Sequence, residues 1–224
     1  MNYNNLIIIG TSHIAKQSLK EVNDMFENEN PDIIALELDR KRIYSLLEKK
    51  KTGPSLRDIK RIGLKGFLFS LIGAWVEKKL GEKVGVSPGS EMLEAFKLAK
   101  SRKIKIFLID QDIEITLKRF SKALTWREKW NFVVDLIKGL IFKKQEFSFD
   151  LEKVPSRNLI KNLIKKVKQR YPNIYKVLIE ERNQVMARNL FQIMQKYPES
   201  KIVAIVGAGH EEDILGIIKS ANLQ

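Results

Sequence analysis

A chain of 224 residues, 44% hydrophobic and 30% charged, is long enough to bury a core unaided and is neither disordered nor fibrous. The lack of cysteine excludes a disulfide scaffold, a thiolate-ligated zinc site and a cysteine nucleophile. Lys and Arg outnumber Asp and Glu by 41 to 27, a formal charge of +14. That surplus invites an anionic partner, but no stacking-aromatic or helix-turn-helix pattern accompanies it, so it reads as solvated helix faces rather than a nucleic-acid footprint.

The first apolar run, LIII (6–9), is followed by Gly10, Thr11, Ser12 and His13 and by a helical pattern over 14–26. It begins within a few residues of Met1, without a signal peptide, so a cytoplasmic location is the expectation, with a membrane-peripheral one as the alternative. IIAL (33–36) leads into Glu37-Leu38-Asp39-Arg40 and a helix over 39–50. Ser87-Pro88-Gly89-Ser90-Glu91 opens a helix to about residue 101: Ser87 or Ser90 can cap it, Pro88 suits a first turn, and the helix dipole favours Glu91. IKIFLI (104–109) precedes Asp110-Gln111-Asp112, which reads as a turn and cap for a helix over 113–124 as readily as chemistry. On that helix Thr116 and Arg119 either orient Asp110 or are plain surface groups. Two stretches, 62–76 and 130–142, are apolar but too short to span a bilayer. They predict amphipathic or buried helices for core or homodimer packing, with a membrane-surface contact as the alternative.

Residues 174–197 read as one long helix with apolar positions at Leu178, Val185, Met186 and Ile193. Arg182 points into that stripe, and a charge there requires a partner, either Glu181 or a carboxylate from a strand edge. The last run, IVAIV (202–206), is followed by Gly207-Ala208-Gly209-His210 and a helix over 211–221. The glycines are not a dinucleotide loop: the third is missing, and Glu211, Glu212 and Asp213 would repel a pyrophosphate.

Strand followed by helix, four times over, predicts an α/β fold with a mainly parallel central sheet and helices on both faces. The whole chain, 1–224, reads as a single domain with a helical insertion at about 55–86 and 125–170. In such a sheet His13, Glu37, Asp110 and His210 arrive together at the carboxyl edge, where open α/β proteins bind ligands. The chain's 2 histidines both occur as Gly-x-x-His after a buried-strand pattern, with the glycine expected to permit a tight strand-to-helix turn.

GTSH, ELDRKR, GVSPGSEMLEAF, LIDQDIEITLKR, EERNQVMARNL and VAIVGAGHEEDI, in this order across nearly the whole chain, resemble the TraB family of pheromone-shutdown proteins (the TraB/PrgY/GumN type). These are related to Tiki-type metalloproteases and more distantly to erythromycin esterases. The resemblance implies a fold of the EreA/ChaN/Tiki kind in which the two Gly-x-x-His motifs meet. It implies site positions His13, Glu37, Glu91, Arg182 and His210, with Asn183 in support, and a divalent cation (manganese, cobalt or zinc). Where the family often has Asp-Arg-Asp, this chain has Asp110-Gln111-Asp112. Some members carry C-terminal membrane helices, which are not carried over here. The function expected is a metal-dependent hydrolase of a peptide or amide. His13 and His210 would bind the metal with Glu37 or Glu91, the remaining carboxylate would act as base, and Arg182 would stabilise the oxyanion. The alternatives are a metal-independent, histidine-based esterase-like hydrolase and a non-catalytic protein that sequesters a peptide such as a pheromone.

Overall fold

In the computed structural model, which describes residues 1–11, 16–48, 59–63, 67, 70–71, 89–142 and 157–221, each of the four apolar runs forms a strand. They are β2 (Leu6–Thr11), β3 (Ile33–Leu36), β4 (Lys105–Leu108) and β5 (Ile202–Gly207). A two-residue strand, β1 (Asn2–Tyr3), pairs antiparallel with β2. It is too short to leave an apolar signature, and the reversal uses Asn4 in the left-handed region at φ 50°.

The strand order is β1-β2-β5-β3-β4, and all pairings except β1–β2 are parallel. The strand formed last in the chain therefore inserts between β2 and β3. Its register, from Leu6↔Ile202 to Thr11↔Gly207 on one side and Ile33↔Ile202 to Leu36↔Ile205 on the other, aligns the carboxyl ends of three strands. Every residue of β5 is buried, as its unbroken apolar run requires.

Helices cover both faces. On one side α1 (Lys16–Glu29), α2 (Arg40–Leu47) and α3 (Ser90–Ser101) pack Val22, Phe26, Ile43 and Met92 against Ile34, Leu36, Val203 and Ile205. The chain then runs through α4 (Ile113–Ala123), α5 (Trp126–Phe142), α6 (Arg157–Arg170), α7 (Pro172–Tyr175), a π-helical turn (Lys176–Glu180), α8 (Glu181–Lys196) and α9 (Glu211–Ala221). On the other face α8 and α9 pack Met186, Leu190, Ile214 and Ile218 against Ile8, Ala35, Ala204 and Val206. The alternation along β5, odd residues to one core and even residues to the other, is the period of a strand buried on two sides.

The helix expected over 174–197 is interrupted. A π turn accommodates an extra residue and rotates the faces before and after it relative to each other. Met186 and Ile193 of the expected stripe lie in the core, but Leu178 and Val185 are only half-buried, and Val177 and Asn183 face inward instead. Neither Ser87 nor Pro88 is among the described residues, and most of 62–76 also lies outside them. Ser90 is the first residue of α3 rather than its cap; that position belongs to Gly89, left-handed at φ 80°.

The first turns of α5 are held by polar contacts. Glu128, Asn131 and Asp135, at helical spacing, hold it to the segment running from α6 into α7. Glu128 accepts the Asn173 N–H, Asn131 donates to the Arg170 carbonyl, and Asp135 binds the Arg170 guanidinium and Tyr171 hydroxyl. Trp126 and Trp130 face outward, 84% and 69% exposed. No helix among the described residues is long and apolar enough to cross a membrane.

Candidate functional site at the carboxyl edge of the sheet

Glu37 is the first residue past β3, and its N–H still pairs with the Ile205 carbonyl at 3.0 Å, so the sheet aims its side chain. That side chain is buried to within 2% of its surface. One carboxylate oxygen, Oε2, accepts the N–H of Gly207 at 2.6 Å, while Oε1 binds the Arg182 guanidinium. Asp110 is placed in the same way past β4: Ile109 and Asp110 donate to the carbonyls of Leu36 and Leu38. Its oxygens accept from Arg182 Nε at 3.0 Å and Nη2 at 2.8 Å, from Arg42 Nη1 at 3.3 Å and from the Gln111 N–H at 2.7 Å.

Arg182 thus answers the requirement its sequence position posed: two strand-edge carboxylates pair with it, and its Nη1 also donates to the Leu178 carbonyl at 3.3 Å. Burial disfavours its charged form, but Glu37 and Asp110 outweigh that cost and raise its pKa above the ordinary arginine value. Glu181, the other partner considered, pairs with Arg119 instead. The Asp110-Gln111-Asp112 turn divides the two readings between its ends. Asp112 caps α4 through the Glu114 N–H at 2.7 Å, whereas Asp110 joins the buried cluster. Gln111 donates to Thr116 at 2.9 Å, and Arg42 of α2 supplies a second cation to Asp110.

His210 ends the turn after β5, is 7% exposed, and starts α9 by accepting the Ile214 N–H on its carbonyl. Its Nδ1 lies 2.5 Å from Asn183 Oδ1, and its Nε2 lies 3.6 Å from Glu37 Oε1. Asn183, itself buried, donates through Nδ2 to Asp213 Oδ2 at 3.1 Å. Glu37, Arg182, Asn183 and His210 are therefore one contiguous group, drawn from β3, α8 and the start of α9. Glu91 is buried in the first turn of α3. The end of α3 leads into β4 through Lys103, so that first turn lies toward the carboxyl end of the sheet. The expectation placed on His13 lies outside the described residues.

Gly207 opens the turn after β5, its carbonyl accepting the His210 N–H at 2.9 Å, and Gly10 has a second use. Gly10 and Gly207 are strand residues, and neither has a positive φ. A Cβ on Gly10 would stand 2.4 Å from Cδ of Glu211, whose buried side chain lies across the strand at that point. Gly10 makes room for that side chain. Asp39 Oδ1 caps α2 through the N–H groups of Lys41 and Arg42. Its Oδ2, like Ser90 Oγ, is buried with no hydrogen-bond partner among the described residues.

Two adjoining clefts are lined by neighbours of His210 in sequence and by its partner Asn183. One of about 630 Å³ is lined by residues including Lys168, Tyr175, Glu180, Asn183 and Asp213. The other, about 230 Å³, includes Lys161, Lys165, Ala208, Gly209 and Glu211. Among the described residues no group of three or more His, Asp or Glu side chains is arranged to hold a metal ion. Arg42 is not singled out by the sequence, and Asp213 reads there only as one of three acids at a helix start. Asp213 follows His210 by three residues, a spacing that puts two helix-terminal side chains on one side, and that spacing is the one signal that could have found it.

The model of the TraB/PrgY/gumN family matches residues 2–220. The chain belongs to that family. An uncharacterized protein of Methanocaldococcus jannaschii is 36% identical over 98% of the chain, which covers 54% of that protein. The TraB domain-containing proteins of Mus musculus and Homo sapiens are each 26% identical over 91% of the chain, which covers 60% of each of them. This TraB-family chain thus spans between about half and three fifths of the length of these relatives. The matched segment contains every residue of the buried cluster.

Proposed function

We propose that this TraB-family chain is a hydrolase acting on a peptide or related amide, with His210 and Glu37 at its centre and a divalent cation as cofactor. The observation that carries the reading is the 3.6 Å approach of His210 Nε2 to Glu37 Oε1, with the other ring nitrogen tied to Asn183. If Nδ1 carries the ring proton, the Nε2 lone pair faces the Glu37 carboxylate, whose Oε1 also binds Arg182, and a cation held there would make that approach favourable. The donor chemistry fits a cation: imidazole and carboxylate suit zinc, manganese or cobalt, and His210 would be one of the residues to hold it. His13 and either Glu37 or Glu91 complete the proposed ligand set. Bound there, the cation supplies Lewis-acid polarisation of a carbonyl and acidifies water.

The chain's own residues do the rest. Arg182 holds the Glu37 and Asp110 carboxyl groups in place; the oxyanion role expected for it requires it to release one of them. Asn183 holds the imidazole edge-on to Glu37. Whichever of Glu37 and Glu91 does not ligate takes the proton from water as general base. The clefts beside Asn183 and Gly209, lined by lysines and carboxylates together, suit a polar, extended substrate such as a peptide.

The test is metal analysis and turnover of a peptide panel by the wild type, His13→Ala and His210→Ala. The reading expects metal and turnover in the wild type and loss of both in each variant. Equal metal content and equal turnover in all three proteins would end it. Turnover that survives a chelator but is lost in His210→Ala would move the assignment to a metal-free histidine base, which the same His210–Asn183 geometry also orients. Stoichiometric peptide binding without product would make the chain a sequestering protein.

A further inference from the structure

The structure assigns Asp213 a positioning role: acting through Asn183, it selects the tautomer of His210. A primary amide has one accepting end and one donating end, and an ionised carboxylate can only accept. Asn183 stands between Asp213 and His210, with one amide end on each. Turning the amide over would set Asn183 Oδ1 against Asp213 Oδ2, two acceptors about 3 Å apart with nothing between them. The amide nitrogen therefore goes to Asp213 and the oxygen to the ring. A ring nitrogen 2.5 Å from an amide oxygen must carry the proton, so neutral His210 is the Nδ1–H form with its lone pair on Nε2.

Without the carboxylate the amide is free to turn and present its N–H to Nδ1. That moves the ring proton to Nε2 and faces Glu37 with a donor instead of a lone pair. Asn183 cannot make the choice itself, because both of its orientations satisfy the ring. Asp213 lies at the solvent-facing end of this chain of bonds and lines both clefts, so replacing it removes an acceptor without opening the core. The assignment concerns the same histidine as the proposed hydrolase: a ring proton on Nε2 would count against both, whereas absence of metal or of turnover would end the hydrolase reading and leave the tautomer assignment standing.

The experiment is long-range proton–nitrogen correlation NMR on the metal-free, nitrogen-15-labelled protein, at a pH where the ring is neutral. The His210 signals are those absent from His210→Ala. The wild type is expected to show a proton-bearing Nδ1 and a lone-pair Nε2 at well-separated shifts. In Asp213→Leu the two nitrogen shifts are expected to move toward each other or exchange. Adding Asn183→Asp to that variant places an acceptor-only group on Nδ1 and is expected to restore the wild-type pattern, which a merely structural role for Asp213 would not produce. Circular dichroism melting reports whether each variant is folded. The inference is overturned if the wild-type ring carries its proton on Nε2, or if folded Asp213→Leu keeps the wild-type shifts.

Discussion

Replacing Arg182 by Met removes a buried cation and leaves two buried carboxylates behind. The side chains of Glu37 and Asp110 are only 2% and 3% exposed, and Arg182 makes three charge-assisted contacts with them. Breaking a buried pair from one side costs about 3–5 kcal/mol, mostly the penalty of the stranded charge. Two carboxylates are stranded here, which pushes the cost upward. Glu37 keeps the Gly207 N–H, and Asp110 keeps the Gln111 N–H and the half-exposed Arg42, which pulls it back. An expected loss of about 3–5 kcal/mol lowers the melting temperature of a domain this size by roughly 6–20 °C. Arg182→Lys keeps a charge but cannot bridge two carboxylates at once, and should lose about half as much. The assay is thermal and urea unfolding of Arg182→Met, alone and combined with Glu37→Gln and Asp110→Asn. If stranded charge is the cause, the neutralised background recovers about 2 kcal/mol or more of the loss. A melting temperature within about 2 °C of the wild type, or the same loss with both carboxylates neutralised, would refute the reasoning.

Gly10→Ala places a methyl group 2.4–2.8 Å from the Glu211 carboxyl group and should cost about 1–3 kcal/mol. Thermal melts should show that cost largely abolished when Glu211 is already Ala; an undiminished loss there would mean that the strand, and not the side chain, needs the glycine. Glu128 accepts hydrogen bonds from Thr125, Asn173 and Ile174, three of them from backbone N–H groups, so Glu128→Ala should cost about 2–3 kcal/mol and loosen α5. Burial opposes ionisation of this carboxyl, but the Thr125 and Asn173 donors outweigh it and hold its pKa below the ordinary glutamate range. A folded-state pKa below the unfolded value of about 4.3 stabilises above that pH and loses its effect as pH falls through the folded pKa. The stability gap between wild type and Glu128→Ala, from urea titrations, should therefore hold from about pH 7 to pH 5 and shrink below about pH 4; a gap that widens on acidification contradicts this.

What could be read from the sequence, and what could not, separates along one physical line. Strands buried on both faces leave unbroken β-branched runs, and so β2, β3, β4 and β5 stood out, as did α9 to its end residues. The order of those strands leaves no such mark, and it decides who meets whom. Only because β5 lies between β2 and β3 does Gly207 donate to Glu37, and does His210 come within reach of it. Arg182 could be recognised as a buried charge in want of a carboxylate from the stripe it interrupts, yet that the carboxylates are Glu37 and Asp110 follows from the sheet edge alone. The π turn at Lys176–Glu180 defeated periodicity across 174–197 because it adds a residue without changing composition, and it is this shift that turns Asn183 inward. Residue types at the site were therefore legible, because chemistry restricts them to a few, whereas roles were not. Arg182 illustrates the difference: its sequence position calls for a carboxylate partner, and only its hydrogen bonds name the two it clamps. Asp213 illustrates the converse, since as one of three acids at a helix start it looks like a dipole complement, and only its bond to Asn183 ties it to the imidazole.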